Sequence, residues 1–147
     1  MDATQRCGDL SSDFSSDHVT QRTKASKEKA IAFDPDYARA YAGLADTYAL
    51  MASYSLGDEF IPRARAAALH ALELDDQLAE AHTSLALIVE NHDWDWEMAE
   101  QEYRRAIELD PNYVTAHHWY GEFLGFQGRF DEDLLVDSLG HVRLLER

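Results

Sequence analysis

The chain has 147 residues, of which 46 % are apolar, with three prolines, seven glycines and a formal charge of −15. It is long enough to bury a core and too apolar to remain disordered. A surface this acidic repels nucleic-acid phosphates and anionic lipid, which leaves proteins or peptides as the natural partners and solubility as the simplest use of the charge.

The opening stretch MDATQRCGDLSSDFSSDHVT is polar, serine-rich and without periodicity, so residues 1–20 read as a flexible tail. Cys7 lies in it as the single cysteine, and one cysteine supports neither an internal disulfide nor a thiolate metal site. No basic segment followed by an apolar run marks a signal peptide. The longest aliphatic run, Leu85 to Val89, is far short of a membrane span. The expected setting is the cytoplasm of a bacterial cell.

Lys24, Lys27 and Lys29 lead into Ala30-Ile31-Ala32-Phe33, and Asp34-Pro35 ends this first short helix, because the residue before proline is pushed out of the helical region. Pro35 then pre-sets the start of the next helix. Tyr37, Tyr41, Leu44, Ala45, Tyr48 and Met51 recur at spacings of three and four, forming one helical face. Ser53 to Pro62 reads as a long connection, with Pro62 suited to a first helical turn. Ala64, Ala67, Ala68, Ala71 and Leu72 make a narrow small-residue face that ends near Asp75-Asp76.

The cycle repeats. Leu78, Ala81, Leu85, Ile88 and Val89 mark one helix, broken near Asn91 to Asp95. Trp96, Ala99, Tyr103, Ala106 and Ile107 mark another, stopped by Asp110-Pro111, with Glu100 and Arg104 placed for a helical ion pair on its outer face. Tyr113 to Phe126 and Phe130 to about Leu145 form a last pair around Gln127-Gly128-Arg129. Ala30, Ala71 and Ala106 stand at equivalent places, 41 and then 35 residues apart. Two helices per unit at such a period signal a helical solenoid.

These residues resemble the tetratricopeptide repeat family. Its series of large residue, Leu, Gly or Ala, then Tyr in the first helix is matched by Tyr41, Leu44, Ala45 and Tyr48. It is matched again by His82, Leu85, Ala86 and Val89, and by His117, Tyr120, Gly121 and Leu124. Its second-helix series is matched by Ala99, Tyr103, Ala106 and Pro111, and in part by Ala64, Ala68, Ala71 and Asp76. The wording AHHWY, DWDW and SYSLGD is similar to the repeat regions of large bacterial signalling and regulatory proteins. The resemblance implies an all-α, right-handed superhelical solenoid of antiparallel helix pairs with about seven helices. A half repeat would occupy 24–35, and full repeats 38–78, 79–113 and 114–147. The last helix departs from the pattern, with Asp133, Asp137 and Gly140 where Ala, an aromatic and Ala are expected.

Chemistry is sparse. There is no phosphate-binding loop, HExxH or GxSxG. Asp93-Trp94-Asp95-Trp96-Glu97 begins like a calcium loop, but Met98 replaces the required glycine and Arg104 stands where the bidentate glutamate belongs. It reads instead as a helix start in which the tryptophans pack. His117 and His118 are adjacent and point to different helix faces, so they do not chelate; His117 falls at a packing position. No catalytic residues, metal ligands or cofactors are expected, and the chain is not read as an enzyme.

In the family the first helices of successive units line a concave groove. Carried onto this chain, the groove positions are Arg39, Asp46, Glu80 and Thr83, then Leu87, Glu90 and Asn91, and in the third unit His118, Trp119, Glu122 and Phe126. The Lys and Asn clamp of chaperone-binding members is absent: the matching positions hold Ala42, Asp46, Ser84, Thr115 and Trp119. The expected ligand is a protein or peptide segment bearing Lys or Arg and an apolar anchor. The alternative is a structural element that homodimerises through uncapped end helices, with Leu135, Leu139 and Val142 as the apolar stripe of the last one.

Overall fold

A computed structural model describes residues 16–53, 59–129, 134–136 and 142–144. Six α-helices follow one another: α1 (Ser16–Phe33), α2 (Ala38–Ser53), α3 (Phe60–Leu74), α4 (Ala79–Ile88), α5 (Trp96–Leu109) and α6 (Val114–Phe126). The chain is an all-α solenoid. α2 packs on α1 and α3, α4 on α2 and α3, and α6 on α5 and α4. None of these helices is long and apolar enough to cross a membrane.

One turn, used three times, sets the period. The amide nitrogens of Asp34, Asp75 and Asp110 donate to the carbonyls of Ala30, Ala71 and Ala106 at 2.9, 2.9 and 3.0 Å, closing α1, α3 and α5. Each aspartate then turns its carboxylate forward to accept from the amide two residues on, at Asp36, Gln77 and Asn112. A short acceptor side chain that can satisfy the backbone locally is what such a turn requires.

Between these turns, small residues let helices approach and large ones fill the seams. Ala45, Ala64, Ala68, Ala86, Ala99, Ala106 and Ala116 are fully buried in one continuous core with Tyr103, Tyr120, Phe123 and Leu124. The Tyr103 ring lies 5.8 Å from Tyr120 and 5.7 Å from Phe123, joining α5 to α6. α6 ends in a Schellman turn. Gly128 takes the left-handed conformation at φ 71°, and the nitrogens of Gly128 and Arg129 donate to Gly125 and Leu124.

Several expectations need correction. α1 begins at Ser16, inside the stretch read as a tail, because its first turns are polar and carry no apolar period; residues 1–15 lie outside the described residues. Phe60 and Ile61 belong to α3 rather than to the connection, and Phe60 is buried with its ring stacked on Tyr48. The break after α4 is a π-helical turn, Val89–Asp93, ending in a left-handed Trp94 at φ 56°. This leaves Trp94 72 % and Trp96 52 % exposed, so the tryptophans do not pack as expected.

The largest difference is at the C-terminal end. Two short strands, β1 (Leu134–Val136) and β2 (Val142–Leu144), pair antiparallel where a seventh helix was expected. Leu135 pairs with Arg143 and Val142 with Val136, so these two do not share a helical stripe; Leu139 lies outside the described residues. The physical reason lies in the sequence: Asp133 and Asp137 put charge where alanine and an aromatic would form the seam, and glycine at position 140 would cost a helix interior about 1 kcal/mol relative to alanine.

Candidate ligand groove

α2, α4 with the π-turn that follows it, and α6 carry the side chains that the repeat register assigns to the groove. Asp46 is half-buried on α2. Burial raises its pKa, and the positive charge of Lys27 on α1 opposes that rise. The Lys27 side chain lies over Gly43, where a Cβ would meet its Cε at 2.7 Å and make the lysine tip shift. The phenol of Tyr113, just before α6, is pushed up chiefly by burial. A hydrogen bond with Thr115 opposes this, while the charges of Asp46, Glu80 and Asp110 add to it. Tyr113 is therefore the point at which carboxylates from α2, α4 and the α5–α6 turn act together.

A second group lies farther along α4. The Tyr103 hydroxyl donates to Glu90 Oε2 at 2.8 Å. Burial raises the Glu90 pKa; the Tyr103 hydrogen bond lowers it and the negative charge of Glu122 on α6 raises it again. Tyr103 is pushed well up, first by burial and then by Glu90 and Glu122. Two carboxylates from different helices thus face one buried phenol, and like charges in a partly dry site resist joint ionisation. Among the described residues Glu80 has no ion-pair partner, and the partner of Glu122 is His118 at 3.9 Å.

The remaining expected positions divide. Arg39 and Asn91 are exposed, the Asn91 amide donating to the Leu87 carbonyl at 2.9 Å. His118 is exposed and sits edge-on to the half-buried Trp119 at 4.9 Å. Phe126, one turn beyond Glu122, is 84 % exposed. Thr83 and Leu87 do not line the groove. Thr83 is 3 % exposed with its hydroxyl donating to the Ala79 carbonyl at 2.8 Å, and Leu87 is 5 % exposed within the main core. Both are turned inward because α4 is packed on several neighbours at once and has little free surface. Ala42 is buried as well, on α2, which packs on α1, α3 and α4.

Polar ties hold these helices together, and of them only the Glu100–Arg104 pair was singled out from the sequence. Arg65 on α3 makes two 2.7 Å contacts to the Asp93 carboxylate, pinning the π-turn. Glu100 on α5 gathers Arg104, Arg129 and the Tyr120 hydroxyl, at 2.8, 2.7 and 3.1 Å. The Arg129 hydrogen bond is the main influence holding Glu100 below the usual carboxylate range; burial opposes it, and Arg104 and Tyr120 reinforce it. His117 is buried, and its Nε2–H donates to the Pro111 carbonyl at 2.8 Å.

A family model described as tetratricopeptide repeat matches residues 102–134. Over 76 residues the chain is 34 % identical to the type IV pilus assembly protein PilF of Pseudomonas aeruginosa, a stretch covering 52 % of this chain and 27 % of that protein. The fold is similar to the crystal structure of MamA, with a TM-score of 0.52 and 23 % identity over 74 % of this chain and 58 % of that one. The chain therefore spans about a quarter of the pilus protein and somewhat over half of the MamA chain.

Proposed function

We propose that this tetratricopeptide-repeat protein is a non-catalytic interaction module whose groove takes a basic segment of a partner protein. The observation that carries this reading is the convergence of Asp46 on α2, Glu80 on α4, Glu90 on the π-turn and Glu122 on α6 onto two phenols, half-buried Tyr113 and buried Tyr103. Lys27 offsets Asp46 and His118 faces Glu122, while Glu80 has no ion-pair partner among the described residues. A lysine or arginine entering between these carboxylates replaces lost hydration with a charge-assisted hydrogen bond. Exposed Phe126 beside Glu122 offers contact for an apolar anchor. The name of the pilus assembly relative fits a module that brings proteins together.

Such binding weakens with salt, because the groove is open and its charges are screened. The test is fluorescence anisotropy with labelled peptides carrying Lys or Arg and one aromatic residue. In the Glu80→Lys, Glu122→Lys double variant, affinity is expected to fall by at least about tenfold, the loss of one to two charge-assisted contacts, with helicity by circular dichroism unchanged. Equal affinity in wild type and variant rejects the groove.

A second reading, self-assembly into a homodimer through the ends of the solenoid, is favoured by Phe33, which is 93 % exposed where α1 stops. Molar mass by light scattering over a wide concentration range tests it; a constant monomer mass rejects it.

A further inference from the structure

The imidazole of His82 on α4 lies between two groups that can only accept. Its Nδ1 is 2.6 Å from Glu102 Oε2 on α5, and its Nε2 is 3.1 Å from the Asp76 carbonyl in the α3–α4 turn. The pair is largely shielded, with the two side chains 13 % and 20 % exposed. A neutral imidazole has one N–H and one lone pair, so it can satisfy one of these acceptors and must turn a lone pair on the other. Only the imidazolium donates to both.

We propose that His82 is a proton-dependent strut: as an imidazolium it ties α5 and the α3–α4 turn to α4, and on losing its proton it must release one of them. The proposal is separate from the groove reading, since no ligand enters it. Burial opposes the charge, but the Glu102 hydrogen bond, the Asp76 carbonyl and the Glu102 charge together outweigh it, and the pKa is raised above 6.5; Arg105 on α5 works against the rise. The other helices packed on α4, which are α2, α3 and α6, give the ring no hydrogen-bond or ion-pair partner among the described residues.

The third unit supplies an internal contrast. His117 occupies the same repeat position 35 residues later, and its Nε2 likewise meets the carbonyl six residues back. Its Nδ1 is buried with no hydrogen-bond partner among the described residues. The first contact is thus a local property of the repeat. The second exists only where α5 brings a carboxylate to the ring.

The sign follows from the raised pKa. A group whose folded pKa exceeds its unfolded value stabilises fully below the unfolded value, and that stability is lost as pH rises through the folded one. Nitrogen-detected NMR of the wild-type imidazoles tests the strut without any substitution. The expected result is a His82 ring protonated at both nitrogens at pH 6.5, with a titration midpoint above that of free histidine. A midpoint at or below free histidine, or a single protonated nitrogen at pH 6.5, overturns it. Glu102→Gln keeps an acceptor for Nδ1 but removes the charge. It is expected to move the His82 midpoint down and to flatten the loss of thermal stability between pH 6.5 and 8.5. An unmoved midpoint in that variant also overturns the proposal.

Discussion

The second and third repeat units begin alike and end differently. Each has a first helix entered through an aspartate turn, α4 from Asp75 and α6 from Asp110, with a histidine capping the turn carbonyl. Unit two then completes itself with α5, whose Ala99, Tyr103 and Ala106 are fully buried. Unit three is followed by the β1–β2 pair instead. The difference teaches that a repeat's first helix can be specified by its own turn and pattern. Its second helix needs two alanines with an aromatic between them at the seam, and Asp133, Asp137 and Gly140 stand at those positions instead.

Removing Tyr103 should break the contrast most severely, because this residue of unit two also holds unit three. Its ring packs on Tyr120 and Phe123, and its hydroxyl holds Glu90. Tyr103→Ala is expected to cost about 3–5 kcal/mol, as for other large aromatic truncations in a core. Urea unfolding followed by circular dichroism measures the loss. Hydrogen exchange should show α6 amides deprotected more than those of α2; equal deprotection would mean that Tyr103 does not act as a seam.

A smaller effect is expected at Glu100, the polar tie between α5 and the turn after α6. Glu100→Gln should cost about 1–2 kcal/mol at pH 7, allowing for solvent screening of the arginine contacts. The Glu100 carboxyl is held below 4.5, so its contribution is present above that value and is lost as pH falls through the folded pKa. Wild type and variant should therefore converge in stability in acid. A constant gap from pH 7 to pH 2 would contradict the tie.

Asp95 sharpens the comparison from inside unit two alone. Its carboxylate accepts from the Met98 nitrogen at 3.1 Å and caps α5. Asp95→Ala should cost about 1 kcal/mol, the usual worth of a helix N-cap. Thermal melting reads it, and the NMR chemical shifts of α6 in unit three should be unaffected.

Much of the fold was legible in the sequence. The seven-residue spacing of Ala99 and Ala106 around Tyr103 placed α5, and the Asp-Pro steps at 34–35 and 110–111 placed the ends of α1 and α5. These signals act through neighbouring turns of one helix, where spacing translates directly into facing. The early start of α1 was not legible, because Ser16 to Thr23 carry no apolar stripe and gain order only as part of a helix continuous with Ile31. The exposure of Trp94 was hidden too. Tryptophan ordinarily argues for burial, and only the left-handed turn after the π-helical segment turns it outward. Among the positions expected to face a groove, Asp46, Glu80, Glu90 and Glu122 were named from the repeat register, whereas Lys27, Tyr103 and Tyr113, which couple to them, were not. It also included Thr83 and Leu87, which the packing of α4 buries.

By itself the sequence determined the helical period, the aspartate turns and the small-residue seams, since each depends on residues within one or two turns of each other. Tertiary structure alone decided which carboxylates share a phenol, that His82 meets Glu102 twenty residues away, and that His117 finds no such partner among the described residues. Those contacts join different helices, and their distances depend on how the helices stack, which no spacing along the chain encodes.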